Sequence, residues 1–348
     1  MVVFKIMRFS VCTAGGTVGP MNSTTSLRAV TAAPAAPAAR AALAGALPLS
    51  RQPAAPGPLD GRAIGVMTLL CLAWSLQQIS LKAIAGQASP MLMVALRSGI
   101  ALVLLAALMW HRGERPHAAR WKPGAAVGAL FALEYLLVAE ALRLTGASHV
   151  VVFLYTAPIF AALGLHVRLP AERMGARQIG GIALAFAGIA VAFLGSDAGS
   201  ADASGRALLG DGLALLGGVA WGATTVTIRC SSLAAAPATE TLLYQLLGAF
   251  GLLLPAAALM GQWHFEPSAA VWAHLGFQSL VVSFASFLTW FWLLRRYLAS
   301  RLGVFSFLTP LFGVVLGVGL LGEPIELPFV AGSVLVLAGI GLVALRRR

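Results

Sequence analysis

The chain has 348 residues, of which 59% are apolar and only 10% are charged, against about 25% charged residues in ordinary soluble domains. So few charges cannot cover the surface of a soluble protein, which excludes a soluble enzyme and a disordered chain and points to a membrane. The charges are lopsided, with 24 Lys and Arg against 12 Asp and Glu. That balance suits either anionic partners such as nucleic acid or basic loops retained on one side of a bilayer.

In chain order, residues 1–62 read as a disordered cytoplasmic tail. The stretch from Ala32 to Pro58 is mostly Ala and Pro with scattered Arg, and it offers no apolar periodicity to offset chain entropy. Met7 and Met21 are alternative starts to Met1. The three cysteines, Cys12, Cys71 and Cys230, are odd in number and lack metal-ligand spacing. A membrane helix needs about 20 apolar residues. From Ala63 onward such runs recur, giving spans near 64–83, 91–110, 124–143, 148–167, 179–196, 208–228, 241–260, 271–293, 302–321 and 327–345. The runs are continuous and broken by Gly and Pro, unlike the period-two alternation of barrel strands. The expected fold is therefore an all-α integral membrane protein of ten transmembrane helices.

Alternating these spans from the tail places Arg112, Arg115, Arg120, Lys122, Arg168, Arg173, Arg177, Arg229, Arg295, Arg296, Arg301 and the terminal Arg346, Arg347 and Arg348 on the tail's side. Only Lys82, Arg143 and Arg206 fall opposite, and Arg97 lies within a span. Lys and Arg mark the cytoplasmic side, so both termini are expected in the cytoplasm. The basic excess then reports orientation rather than a nucleic-acid partner.

The membrane region repeats itself. Ala73-Trp74-Ser75 followed by Lys82 matches Ala220-Trp221-Gly222 followed by Arg229. Leu142-Arg143, Ala147-Ser148, Val152-Phe153, Pro158 and Phe160 match Leu294-Arg295, Ala299-Ser300, Val304-Phe305, Pro310 and Phe312 at one offset. Glu172 and Gly181 match Glu323 and Gly332, and Ala187-Gly188-Ile189 matches Ala338-Gly339-Ile340. Each unit holds five spans, an odd number, so the second crosses the membrane in the opposite sense: repeats at 63–196 and 207–345, inverted as in many secondary transporters.

These residues resemble the two EamA domains of the drug/metabolite transporter superfamily: the Trp of the first and sixth spans, the Ala-Ser…Pro helix followed by a Glu, and the closing Gly-rich helix. The resemblance implies a permease that carries small polar or amphipathic metabolites such as amino acids across the inner (plasma) membrane, with export as the expected direction. A multidrug exporter or a lipid-intermediate flippase on the same scaffold is the alternative. The spacing from Pro to Glu departs by one residue between halves, from Pro158 to Glu172 and from Pro310 to Glu323, and Gly322-Glu323 has no counterpart Gly before Glu172.

Ionisable groups within spans are costly and usually face a cavity. Arg97 is either an anchor for a substrate carboxylate, which a guanidinium can fork, or a structural Arg bonded to helix carbonyls. Glu134 is a candidate proton carrier or ammonium partner. Glu140, six residues on and about 240° round the helix, is a second candidate on another face. Trp74, Gln77 and Gln78, with Trp221, Thr224 and Thr225 in the matching places, are candidates for two halves of a central pocket. Tyr135, Tyr155, Tyr244 and Gln245 add polar groups, and Gln245 stands close to the repeat position of Arg97. Gln278, Ser283, Ser286 and Trp290 are weaker candidates. His149 and His166 read as solvated interfacial groups. Pro158 and Pro310 are hinge candidates, because a proline within a helix frees a backbone carbonyl. Gly218/Gly222 and Gly313/Gly317 are close-packing pairs and leave monomer and homodimer both open. No Walker loop, metal cluster or nucleophile elbow appears in the sequence, so no cofactor and no catalysis are expected. The expected partners are the bilayer, a small-molecule substrate and a candidate coupling proton.

Overall fold

The computed structural model describes residues 61–169, 174–194, 201–296 and 308–344. Residues 1–60 of the expected tail, Glu172 and Ala299-Ser300 lie outside these residues, while Gly61 and Arg62, expected in the tail, already belong to the first helix. The described chain is helical: α1 (Gly61–Ala83), α2 (Pro90–Arg112), α3 (Trp121–Leu144), α4 (Ala147–Leu154), α5 (Ala157–Arg168), α6 (Ala176–Leu194), α7 (Ala201–Arg229), α8 (Ala238–Leu259), α9 (Ala269–Gly276), α10 (Phe287–Arg296), α11 (Leu308–Leu321) and α12 (Leu327–Ala344). A ten-residue π-helix, Phe277–Ser286, joins α9 to α10. Among the described residues the only β pairing is an isolated bridge between Ala88 and Phe265. Such a chain satisfies its backbone within each helix, as a membrane interior demands. Seven helices, counting α4–α5 as one and α9, the π segment and the start of α10 as another, are long and apolar enough to cross a bilayer, and α6, α11 and α12 are shorter apolar helices. The shorter three each adjoin residues outside the described set.

The two ends of the bundle differ. One carries Lys82, the α3–α4 link and the α11–α12 link. The other carries Arg120 and the start of α8. Trp263 and Trp272 stand exposed near the Lys82 end, and Trp110 and Trp121 near the Arg120 end, as in the aromatic belts of membrane proteins. Exposed Val103, Leu252, Val315 and Val334 lie on the helices between.

Helices that occupy matching places in the two repeats pack on each other. In α6 and α12, a Cβ built on Gly188 would come 2.6 Å from the Gly332 carbonyl oxygen, and one on Gly339 would come 2.5 Å from that of Gly181. The order runs 181 to 339 and 188 to 332, so the helices are antiparallel and the matched glycines exchange places across the contact. α2 and α8 meet with Gly99 against Phe250 and Leu105 and Met109 clustered with Leu242 and Leu246, again antiparallel. α4 and α11 meet with Gly313 against Val151 and Gly317 against Ser148. Three mate pairs thus turn about one kind of two-fold relation, as an inverted repeat requires.

The two Gly-x-x-x-Gly pairs are consumed inside the chain. Gly313 and Gly317 seat α11 on α4, while Gly218 and Gly222 seat α7 on the break between α4 and α5. That break changes the expectation for Pro158. The fourth span is not one helix: it stops at Leu154, turns at Tyr155-Thr156 and restarts at Ala157. Pro158 sits exposed at the second position of α5, where its missing N–H costs little. Thr156 Oγ1 donates 2.6 Å to the Phe153 carbonyl at the break, and Ile159 N donates 2.9 Å to Thr156 O. Pro310 is buried in the first turn of α11 as described.

The α6–α12 contact admits no side chain at Gly332, where a Cβ would meet Gly188 O at 2.5 Å and Ala192 Cβ at 2.7 Å. Overpacking costs about 1–3 kcal/mol. Gly332→Leu is expected to lower the thermal midpoint of the detergent-purified protein, whereas Gly319→Leu, which meets nothing within 4 Å, is expected to leave it within a degree or two of wild type.

Candidate functional site

The largest fully buried side chain is the charged Arg97 of α2, only 2% exposed. A guanidinium stays charged at any accessible pH, so burial obliges the bundle to supply partners. Arg97 Nη1 donates 2.5 Å to Gln278 Oε1, on the second residue of the π segment. The guanidinium carbon lies 4.4 Å from the ring centroid of Tyr135 on α3, a cation–π distance. Gln278 Nε2 in turn donates 2.7 Å to the Gln77 carbonyl of α1, and Gln77 Nε2 donates 3.1 Å to the Tyr135 hydroxyl. The chain Arg97–Gln278–Gln77–Tyr135 closes on itself and links α1, α2, α3 and the π segment. The π geometry matters locally, since such segments place side chains off the α-helical register and recur at functional sites.

Glu134 precedes Tyr135 on α3. It is 4% exposed, and its Oε2 finds no hydrogen-bond partner among the described residues; the same holds for Arg97 Nε and Gln78 Oε1. Arg97 lies within electrostatic reach of Glu134, and Tyr155 within reach of Glu134, Tyr135 and Cys71. A buried cation and a buried carboxyl therefore sit in one neighbourhood, each with a buried polar atom that has no hydrogen-bond partner among the described residues.

Aromatic rings stand in two groups. Trp74 on α1 donates from Nε1 to Ser286 Oγ at 3.0 Å and meets Trp290 edge-on at 5.8 Å. Tyr155, at the α4–α5 break, meets Trp221 of α7 edge-on at 5.2 Å. The matched tryptophans thus each pack on one aromatic partner. Ser75 ties α1 to α11, donating 2.6 Å to Thr309 O.

Several sequence candidates stand elsewhere. Thr224 and Thr225 donate to carbonyls of their own helix, Ala220 O at 3.0 Å and Trp221 O at 3.2 Å. Tyr244 packs its ring against Gly124, toward the Arg120 end. Gln245 is half-buried on α8, and among the described residues no hydrogen bond joins it to Arg97. Glu140 accepts from Arg143 at 2.9 Å and from Gln262 toward the Lys82 end, well separated from Glu134. Ser283 is buried in the π segment. His166 Nδ1 accepts from Met174 N at 2.9 Å. His149 is not a solvated group: its Nδ1 lies 2.9 Å from Asp211 Oδ2 and its ring stacks on Phe329 at 3.8 Å.

The sequence reading missed two further clusters. At the Arg120 end, Arg120 Nη1 donates 2.7 Å to Glu240 Oε2, the His117 backbone N–H donates 3.0 Å to Glu240 Oε1, and Thr239 donates 2.5 Å to Glu114. At the Lys82 end, Lys82, Thr145, Asp211 and Glu323 gather around the α3–α4 link. The repeat itself held the available signal for the second cluster, since Lys82 has Arg229 and Glu323 has Glu172 as its match in the other half.

A bundle of membrane-length apolar helices in two matched halves, with its ionisable groups buried between them, defines a multi-pass membrane protein of the transporter class. The chain belongs to the EamA-like transporter family, whose sequence model matches residues 61–194 and 208–345. A solved crystal structure is similar at 22% identity and a TM-score of 0.56, over 81% of this chain and 96% of that one; at that identity the likeness shows the fold alone. No curated protein matches the chain.

Gln278→Leu removes the acceptor of Arg97 and the donor to Gln77 O together. Each buried polar group left unpaired costs about 1–3 kcal/mol, so this variant is expected to lose thermal stability in detergent. Gln278→Glu, which keeps the acceptor for Arg97, is expected to retain more of it.

Proposed function

We propose that the protein is a secondary transporter that exports small polar or amphipathic metabolites of the amino-acid type across the cell's inner membrane. It works by alternating access between two inverted five-helix repeats that together make ten membrane helices. The observation that carries this reading is the pairing of Arg97 and Glu134 in the same buried neighbourhood, each with an unpartnered polar atom. A guanidinium suits a substrate carboxylate, and a carboxylate suits a substrate ammonium, so a zwitterion fits both. The aromatic groups around Trp74 and Tyr155 supply an apolar wall for its side chain. Glu134 also suits proton coupling, because a carboxyl that is costly to keep charged in a span can take up and release a proton. Fourteen basic residues in short segments on the tail's side against three opposite support cytoplasmic termini and a cytoplasmic Arg120 end.

Proteoliposomes given a pH gradient and a mixture of radiolabelled zwitterionic amino acids test the proposal. Glu134→Gln is expected to abolish the pH-driven component of flux with expression intact; unchanged pH-driven flux removes Glu134 from coupling. Arg97→Lys keeps the charge and loses the fork. It is expected to slow carboxylate-bearing substrates by about tenfold relative to uncharged analogues, and equal loss for both reports a folding defect instead.

A further inference from the structure

Glu323 follows α11 on the link to α12, yet its carboxylate belongs structurally to the first repeat. Oε1 accepts from the Ala147 backbone N–H at 2.5 Å, and Oε2 accepts from the Ser148 N–H at 3.0 Å and from the Ser148 hydroxyl. Three donors at the start of α4 thus converge on one carboxylate, where the positive end of the helix also favours a negative charge. The slot is shaped by glycine: a Cβ at Gly317 would come 2.6 Å from Glu323 Oε2, and one at Gly146 would come 3.0 Å from its carboxyl carbon.

The same α3–α4 link is held from two more sides. Lys82 of α1 donates to Leu142 O at 2.6 Å and to Thr145 O at 2.8 Å, and it lies within electrostatic reach of Glu323. Thr145 Oγ1 donates 2.7 Å to Asp211 of α7, which also engages His149 of α4. The ends of α1, α3, α4, α7 and α11 are therefore drawn together over the buried Arg97–Glu134 neighbourhood. Below this knot α4 is only eight residues long and is separated from α5 by the turn at Tyr155-Thr156, so the piece that Glu323 grips is short and has a joint beneath it.

We propose that the Glu323 carboxylate is a clasp that shuts the Lys82 end of the transport pathway, and that it lets go of the α4 N-terminus each time that end opens. This rests on the transporter reading above. The clasp joins second-repeat sequence to a first-repeat helix beside the Thr145–Asp211 and Gln262–Glu140 contacts and the Ala88–Phe265 bridge, so its release loosens the two halves at that end and leaves the Arg120 end untouched. The negative charge is what the three donors and Lys82 hold, and an uncharged side chain of smaller reach leaves the slot empty.

The test uses the full chain with Cys12, Cys71 and Cys230 replaced and a reporter Gln78→Cys, one turn deeper on α1 than Lys82. Membrane vesicles presenting the Lys82 end are exposed to a membrane-impermeant thiol reagent, with no substrate present. Glu323→Ala is expected to raise the labelling rate by about tenfold, as loss of a charge-assisted bond set would. Ser148→Ala, which removes one donor and keeps Glu323, is expected to raise it by less. Unchanged labelling in both variants overturns the clasp. Uptake of the radiolabelled amino-acid mixture is read in parallel vesicles whose chain keeps Gln78: unchanged labelling with intact uptake defeats the clasp alone, and raised labelling without uptake defeats the substrate assignment alone.

Discussion

The arrangement depends on keeping one permanent charge inside an apolar bundle. A guanidinium is a permanent charge, and a charge at the centre of a span costs about 2.5–3.5 kcal/mol on insertion scales. That cost is offset only if other helices bring dipoles and π-density to it. Gln278 does so from the π segment at 2.5 Å and Tyr135 from α3 at 4.4 Å. Gln77 then locks both in place. Four segments distant in sequence converge on one guanidinium, and the convergence sets the neighbourhood in which Glu134 lies.

Around that centre the repeat acts as a geometric constraint. Mates pack on mates through glycines whose matched positions trade places, as Gly188 meets Gly332 and Gly181 meets Gly339. At α6–α12 the contact is backbone against backbone, whereas α2–α8 and α4–α11 pack side chains on glycine, Phe250 on Gly99 and Val151 on Gly313. Polar contacts cross between the repeats at the centre, where Arg97 meets Gln278, and at both ends, through Arg120–Glu240 at one and the Lys82–Asp211–Glu323 group at the other. Asymmetry enters at the centre, where no basic residue stands at the repeat counterpart of Arg97 and where Gln77 bonds Tyr135 across the bundle while Thr224 and Thr225 donate back to carbonyls of α7.

Much of the architecture was legible in the sequence. Apolar runs of membrane length and identities at constant offsets are strong signals, and the family match over both repeats agrees with them. Arg97 and Glu134 stood out because a charge inside an apolar run is rare. Their partners did not. Gln278 lies 181 residues from Arg97, and a neutral amide among apolar residues carries no pattern. The π segment was invisible for a related reason: its residues fit an α-helical span equally well. Pro158 marked the right place but not the right shape, since the sequence showed a proline within a span and the chain answers with two helices. His149 was misread because a histidine near a span end is commonly solvated, whereas here Asp211 arrives from 62 residues away. The count of ten spans rests on three short helices that adjoin residues outside the described set.

The central claim is that one buried site reads both charges of a zwitterion. Its most direct test is equilibrium binding of ligands to the purified protein in detergent, comparing a panel of zwitterionic amino acids with their amides, which lack the carboxylate, and their deaminated acids, which lack the ammonium. The account expects at least one zwitterion to bind more tightly than both of its truncated forms, by about tenfold for each lost charge. Equal binding of all three forms across the panel, or binding governed by apolar size alone, would contradict it.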